Sequence, residues 1–194
     1  YIPQPASLIY IPKPAHPGER RPISLLDPED RTVLTALNTL LAPLFDRQLL
    51  PGCFAYRKER GAGAAVALAH QRIREGWAHA ATGDIDDFFA SIDRTRLLAL
   101  VRRRIWETPV VSLLETYLHI GSVQNLTWED SGRGLAQGSP LSPLLSNLYL
   151  ADLDQLLEST GLPWIRYADN LLVLSCEPEP LHDAWRRAET FLAS

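Results

Sequence analysis

Tyr167-Ala168-Asp169-Asn170 sits between two apolar runs, Trp164-Ile165-Arg166 before it and Leu171-Leu172-Val173-Leu174 after it. Asp and Asn both tolerate turn conformations and bond their own backbone. The stretch therefore predicts two strands joined at the Asp169-Asn170 pair, a β-hairpin with a carboxylate at its exposed tip. A second acidic concentration lies upstream in Gly83-Asp84-Ile85-Asp86-Asp87-Phe88-Phe89. Three carboxylates in four positions repel one another unless cations or solvent compensate. Hard divalent cations of the magnesium type take oxygen ligands of this kind. In an extended segment Asp84 and Asp86 share a face, while Asp87 points away with Ile85. The plain alternative is an exposed acidic turn ahead of a helix, because Asp93 is itself a good N-cap for a helix over 94–105.

Around these two stretches the chain punctuates itself clearly. Ile9 to Lys13 and Arg20 to Leu26 are short apolar runs linked through His16-Pro17-Gly18, a hairpin carrying Lys13, Arg20 and Arg21. Asp27-Pro28-Glu29-Asp30 starts a helix, with Val33, Leu34, Leu37, Leu40, Leu41 and Leu44 predicting a wide buried face. Phe54 to Gly63 is a basic, glycine-bearing loop ahead of an Ala-rich helix over 64–78. Its glycine spacing is not that of a P-loop, because no Gly-Lys-Ser/Thr follows. Thr108-Pro109 opens a helix to about Leu118. Ser131 to Asn147 is a glycine- and serine-rich loop with Gln137 and Gly138 in its flexible part. It feeds a helix opened by Ser142 and Pro143, whose Leu144, Leu145, Leu148, Leu153, Leu156 and Leu157 face a core. Leu181, Trp185, Ala188 and Leu192 mark a last amphipathic helix.

With 194 residues, 46% hydrophobic and 22% charged, the composition is that of an ordinary soluble globular chain. No apolar run approaches the roughly 20 residues that span a bilayer, and no signal-peptide pattern opens the chain. A cytoplasmic setting is the default. Cys53 and Cys176 lack metal-type spacing and read as ordinary thiols. A start at Tyr1 and the lack of methionine predict a segment of a longer polypeptide. The net charge of -4 argues against nucleic-acid binding when taken whole. It is uneven, with a balance of +3 over residues 1–83 and -7 over 84–194. A basic first part suits phosphates and an acidic second part suits cations.

The ordered set GDIDDFF, GLAQGSPLSPLLSNLYL and RYADN resembles the palm of reverse transcriptases, most of all prokaryotic enzymes of the group II intron kind and their CRISPR-associated relatives. IPKP, ERRPISLLDPEDR and FAYRKERGAGAAV resemble the fingers of the same enzymes. The resemblance implies an α+β fold of the polymerase right-hand type, fingers over 1–79 and palm over 80–194, with an antiparallel palm sheet packed on helices. The family's last palm strand and thumb are expected beyond Ser194. It implies RNA-directed DNA polymerase activity on an RNA template with a DNA or RNA primer and dNTPs. Asp84 and Asp169 match the catalytic aspartates that hold two Mg²⁺ ions, for which Mn²⁺ can substitute, with the Ile85 carbonyl and position 170 as further ligands. Phe89 matches the gate against a ribose 2′-hydroxyl. Gln137 matches a residue touching the incoming nucleotide, and Lys13 and Arg21 match cations on its triphosphate. Arg57 and Gly138 match template contacts. An integrase or other CRISPR-associated domain is an implied partner, and an intron-mobility role stays open.

Two positions depart from the family pattern. Ala136 stands where many relatives carry Pro. Asn170 stands where the pattern has a second aspartate, so a cation site there has about one unit less negative charge. An introduced mutation, a working natural variant and a natural loss of activity all account for it. The alternative to a polymerase is thus a catalytically silent polymerase-like domain that docks nucleic acid or protein in a larger assembly. A two-Asp phosphohydrolase or sugar transferase is a third reading, which leaves Gln137 and the Asp169 hairpin without a role.

Overall fold

Strand and helix signals alternate along the chain, and the computed structural model follows them through residues 1–13, 16–124 and 127–193, with the side chains at 13, 16 and 17 outside the described part. In chain order the elements begin with β1 (Ala6–Lys13), β2 (His16–Leu25), α1 (Pro28–Asp46), α2 (Ala62–Arg74) and β3 (His79–Asp84). They continue through α3 (Phe88–Ser91), α4 (Arg94–Arg102), α5 (Thr108–His119), β4 (Ser122–Gln124) and β5 (Thr127–Glu129). The last five are α6 (Ser142–Tyr149), α7 (Ala151–Glu158), β6 (Trp164–Tyr167), β7 (Asn170–Ser175) and α8 (Pro178–Leu192). The fold is α+β, as the motifs imply. Among the described residues no helix is long and apolar enough to cross a membrane.

The chain divides into two compact units, residues 1–44 with 87–148 and residues 45–86 with 149–194. In the first, β1 pairs antiparallel with β2 and parallel with β4, giving a four-stranded sheet in the order β2-β1-β4-β5. Lys13 already pairs with His16, so His16-Pro17-Gly18, expected as the link, falls inside β2 instead. On α1 the buried stripe is Leu34, Leu37, Leu41 and Phe45, whereas Leu40 and Leu44 face solvent. The wide face expected from six apolar positions is therefore narrower. A spacing of three, four and four fills one stripe, and the flanking leucines fall outside it. The Asp93 carboxylate caps α4, accepting from the amides of Thr95 and Arg96, which holds its pKa low.

The second unit is built on an antiparallel sheet in the order β3-β7-β6. Phe54, Ala65 and Ile165 form a buried cluster with Leu68, Ala69 and Leu172 against it, and α8 packs on β7 and β3. The helix expected to run on from Ser142 divides at Leu150, and α7 carries Leu153 and Leu157 into the core.

Candidate active site

The end of the three-stranded sheet is where chemistry-bearing side chains meet. In β7, the central strand, Asn170 pairs with Tyr167 on one side and with Asp84 on the other. The hairpin loop is therefore Ala168-Asp169, one residue earlier than the Asp169-Asn170 pair read from the sequence. Asn170 is drawn into the strand because both neighbours complete its ladder. Ala168 takes the left-handed conformation at φ 59°. A first loop position with positive φ favours Gly, Asn or Asp, and alanine costs about 1–2 kcal/mol there.

Asp84 closes β3 directly opposite Asn170, and the Ile85 amide donates to the Asp169 carbonyl at 3.3 Å. The Asn170 side-chain amide donates to the Asp169 carboxylate at 3.3 Å. Burial raises the pKa of Asp84, and the Asp169 and Asp86 carboxylates push it further up, against a lowering hydrogen bond from Ile85. Three negative groups are thus within electrostatic reach of one another. Gly83 sets the approach of β3 here, since a Cβ on it would lie 2.9 Å from the Trp185 ring.

The donors at this sheet end are all oxygens: Asp84 at the end of β3, Asp169 in the hairpin loop and the Asn170 amide oxygen. Hard cations of the Mg²⁺ or Mn²⁺ type take such donors, and a bound cation would relieve the repulsion that lifts the Asp84 pKa. The donor set fits such an ion. Among the described residues no three His, Cys, Asp or Glu side chains come together so as to hold a metal ion, so an ion here would take most of its ligands from water or substrate oxygens.

Other residues singled out by sequence fall into two groups. Arg57, in the same unit as Asp84, is committed to its own loop. Its guanidinium donates to Asp46 at 2.6 Å, to the Leu50 carbonyl at 2.8 Å and to the Cys53 carbonyl at 2.9 Å. Lys58 is the exposed cation of that loop. In the other unit, the Gln137 carbonyl accepts from the Ser24 amide at 2.7 Å. Gly138, at φ 105°, lies where a Cβ would meet the Ser24 carbonyl at 2.8 Å. Gln137 lines a cavity of about 330 Å³ with Tyr10, Ser24, Arg94 and Asp130. Phe89 is half-buried, packs edge-to-face on Phe88, and has its carbonyl held by the Leu135 amide at 2.7 Å. Arg21 is exposed on β2, and the Lys13 side chain lies outside the described residues.

The family described as reverse transcriptase (RNA-dependent DNA polymerase) matches residues 11–194. The chain belongs to the reverse transcriptase family. Among its relatives, protein YkfC of Escherichia coli is 29% identical over 168 residues, covering 84% of this chain and 43% of YkfC. The group II intron-encoded protein LtrA of Lactococcus lactis is 27% identical over 155 residues, covering 80% of this chain and 26% of LtrA. The chain thus spans less than half the length of both relatives. A solved partial Cas6-RT-Cas1–Cas2 complex is similar at 27% identity and a TM-score of 0.52, over 90% of this chain and 30% of the matched one. Apo telomerase from Candida tropicalis shares the fold at 11% identity and a TM-score of 0.64, over 95% of this chain and 46% of the other. The group II intron-like and CRISPR-associated likeness read from the motifs stands, and the two-Asp phosphohydrolase or sugar transferase reading falls away.

Two features of this candidate site went unread in the sequence. Tyr56, half exposed at φ 61°, has its pKa raised by burial and then by Asp169 and Tyr167, which puts it beside the hairpin tip. Arg166 and Asp154 are a fully buried ion pair behind the same tip. The available signal was a lone arginine inside the apolar strand WIRY and an aspartate within a leucine-rich helix, since buried charges need partners.

Proposed function

We propose that this chain is the fingers and palm, over 1–79 and 80–194, of an RNA-directed DNA polymerase that adds dNTPs to a primer 3′-hydroxyl. The observation that carries the reading is the meeting of Asp84 and Asp169 at one sheet end, with the Asp84 pKa lifted by burial and then by its carboxylate neighbours. Asp84 and Asp169 would hold two Mg²⁺ ions, with the Ile85 carbonyl and the Asn170 amide oxygen as weaker ligands. When bound, such ions lower the pKa of an attacking hydroxyl and stabilise charge on the oxygens of an in-line displacement at phosphorus.

The protein's own part is to hold one carboxylate at the end of β3 and the other in the β6–β7 hairpin loop, so that little reorganisation accompanies the reaction. Phe89 is proposed to exclude the ribose 2′-hydroxyl, Gln137 to touch the incoming nucleotide, and Lys13 and Arg21 to bind its triphosphate. Arg suits phosphate because its planar fork binds two oxygens at once. These assignments, and template contact at Gly138, rest on the family pattern. With Arg57 tied to Asp46, its proposed effect on the template runs through the shape of its loop. An RNA template with a DNA or RNA primer, and an integrase or other CRISPR-associated partner, complete the proposal in a cytoplasmic setting.

Asn170 supports a second reading. Its amide donates to Asp169 where the family pattern has a carboxylate. A silent polymerase-like domain that docks nucleic acid or protein would tolerate that exchange. Primer extension on an RNA template in Mg²⁺ and in Mn²⁺, with this chain and with Asn170→Asp, separates the two. Nucleotide addition by either supports the polymerase; template binding without addition by both supports the docking module.

A further inference from the structure

Arg166 is fully buried in a strand that is otherwise apolar. Its guanidinium fork meets the Asp154 carboxylate at 2.6 and 2.7 Å, with both side chains only 1% exposed. The remaining terminal nitrogen donates to the Ala168 carbonyl at 2.9 Å, and Nη2 also reaches the Cys53 sulfur at 3.2 Å. The backbone of Arg166 is held as firmly. Its amide donates to the Gly52 carbonyl at 2.8 Å, and its carbonyl accepts from the Phe54 amide at 2.9 Å.

This cluster ends on the one strained residue of the hairpin. Ala168 is left-handed at φ 59° without being glycine, and such residues persist only where their surroundings over-determine them. The Arg166 guanidinium supplies that constraint through the Ala168 carbonyl, next in the chain to Asp169. A buried ion pair is in itself weak grounds for stability, because an apolar pair of similar volume often serves as well. What an apolar pair cannot do is donate to the Ala168 carbonyl.

We propose that Arg166, fixed by Asp154, is a positioning residue that sets the Ala168-Asp169 turn and so holds the Asp169 carboxylate where a divalent cation binds. The inference rests on the reading of Asp169 as a metal ligand. It treats Arg166 as acting through Asp169, with no contact of its own to metal or nucleotide. Groups that orient a metal ligand from behind typically change affinity by roughly ten- to hundredfold when removed.

The test uses two variants of the whole chain. Arg166→Met with Asp154→Leu removes both charges together, which avoids stranding one in the core. Arg166→Lys keeps a charge opposite Asp154, but a single ammonium lacks the planar fork that serves Asp154 and Ala168 together. Two readouts are taken on folded protein. Mn²⁺ affinity is measured by electron paramagnetic resonance of the free ion. Amide exchange is followed at Ile85, which donates to the Asp169 carbonyl, and at Leu174, which donates to the Pro163 carbonyl at 2.8 Å away from the turn.

The expected result is a loss of Mn²⁺ affinity of about ten- to hundredfold, with faster exchange at Ile85 and wild-type exchange at Leu174. Unchanged Ile85 exchange in a folded variant overturns the proposal, as does equal acceleration at both amides, which marks a merely structural pair. Unchanged Mn²⁺ affinity in the variants overturns it too. If the unaltered chain binds no Mn²⁺, it is the metal reading of Asp169 that fails, and the exchange comparison alone then decides whether Arg166 sets the turn.

Discussion

Asn170→Asp puts a further carboxylate into the sheet end that already carries Asp84, Asp86 and Asp169. Position 170 faces Asp84 across the β3–β7 pair and donates its amide to Asp169. The exchange therefore replaces a donor with a like charge toward both. Like charges directly opposite in an antiparallel pair cost about 0.2–1 kcal/mol. Two unit charges about 4 Å apart, near the 3.3 Å between the Asn170 amide and the Asp169 carboxylate, repel by about 1 kcal/mol in water. Because Asp84 is largely solvated, screening keeps the sum near 1 kcal/mol without metal. For a chain of this size that lowers Tm by about 2–4 °C. Divalent metal reverses the sign, since the added charge strengthens cation binding. A tenfold gain in affinity is worth about 1.4 kcal/mol at saturation, enough to cancel the deficit. Thermal melts followed by circular dichroism in EDTA and in saturating Mg²⁺ read both numbers. Equal Tm values in EDTA, or a deficit that stays the same in Mg²⁺, would refute the reasoning.

Three other perturbations test separate parts of the account. Burial and the Asp169 and Asp86 carboxylates raise the Asp84 pKa in the folded state. Its ionisation therefore costs stability, a cost absent below the unfolded pKa and complete once pH has risen through the folded one. Metal-free Asp84→Asn should melt slightly above the unaltered chain at neutral pH, by less than about 1 kcal/mol, and the gap should close in acid; a gap independent of pH contradicts the shift. Phe89→Ala should raise ribonucleotide incorporation relative to deoxyribonucleotide, and unchanged sugar selectivity in a competition assay removes Phe89 as the gate. Arg57→Met leaves four acceptors, the Asp46 carboxylate and the Asp46, Leu50 and Cys53 carbonyls, without their donor. It should cost about 1–3 kcal/mol in urea unfolding, and a stability within error of the unaltered chain shows that the loop holds without it.

Much of the site was legible in the sequence because its signals are local. The hairpin around Asp169, the Asp84 cluster and the Asp93 cap each declare themselves within a few residues, and the antiparallel pairing of β3 with β7 joins the first two. What stayed hidden depends on partners distant in sequence. The turn lies at Ala168-Asp169 because Asn170 is claimed by strands on both sides, a tertiary pairing that turn propensity cannot see. Leu40 and Leu44 have the spacing of core residues, yet periodicity does not say how wide the covering surface is. Arg57 reads as a basic residue for phosphate until the Asp46 carboxylate and three carbonyls are found around it. The tie between Arg166 and Asp154 spans 12 residues and two element types, and only burial reveals it.

The most direct test of a polymerase built on Asp84 and Asp169 is primer extension on an RNA template with dNTPs and Mg²⁺ or Mn²⁺. It compares the unaltered chain with Asp84→Ala, both shown by circular dichroism to be folded and both shown to bind the primer–template. The account predicts metal-dependent nucleotide addition by the unaltered chain and none by Asp84→Ala. Addition that persists in Asp84→Ala would contradict it.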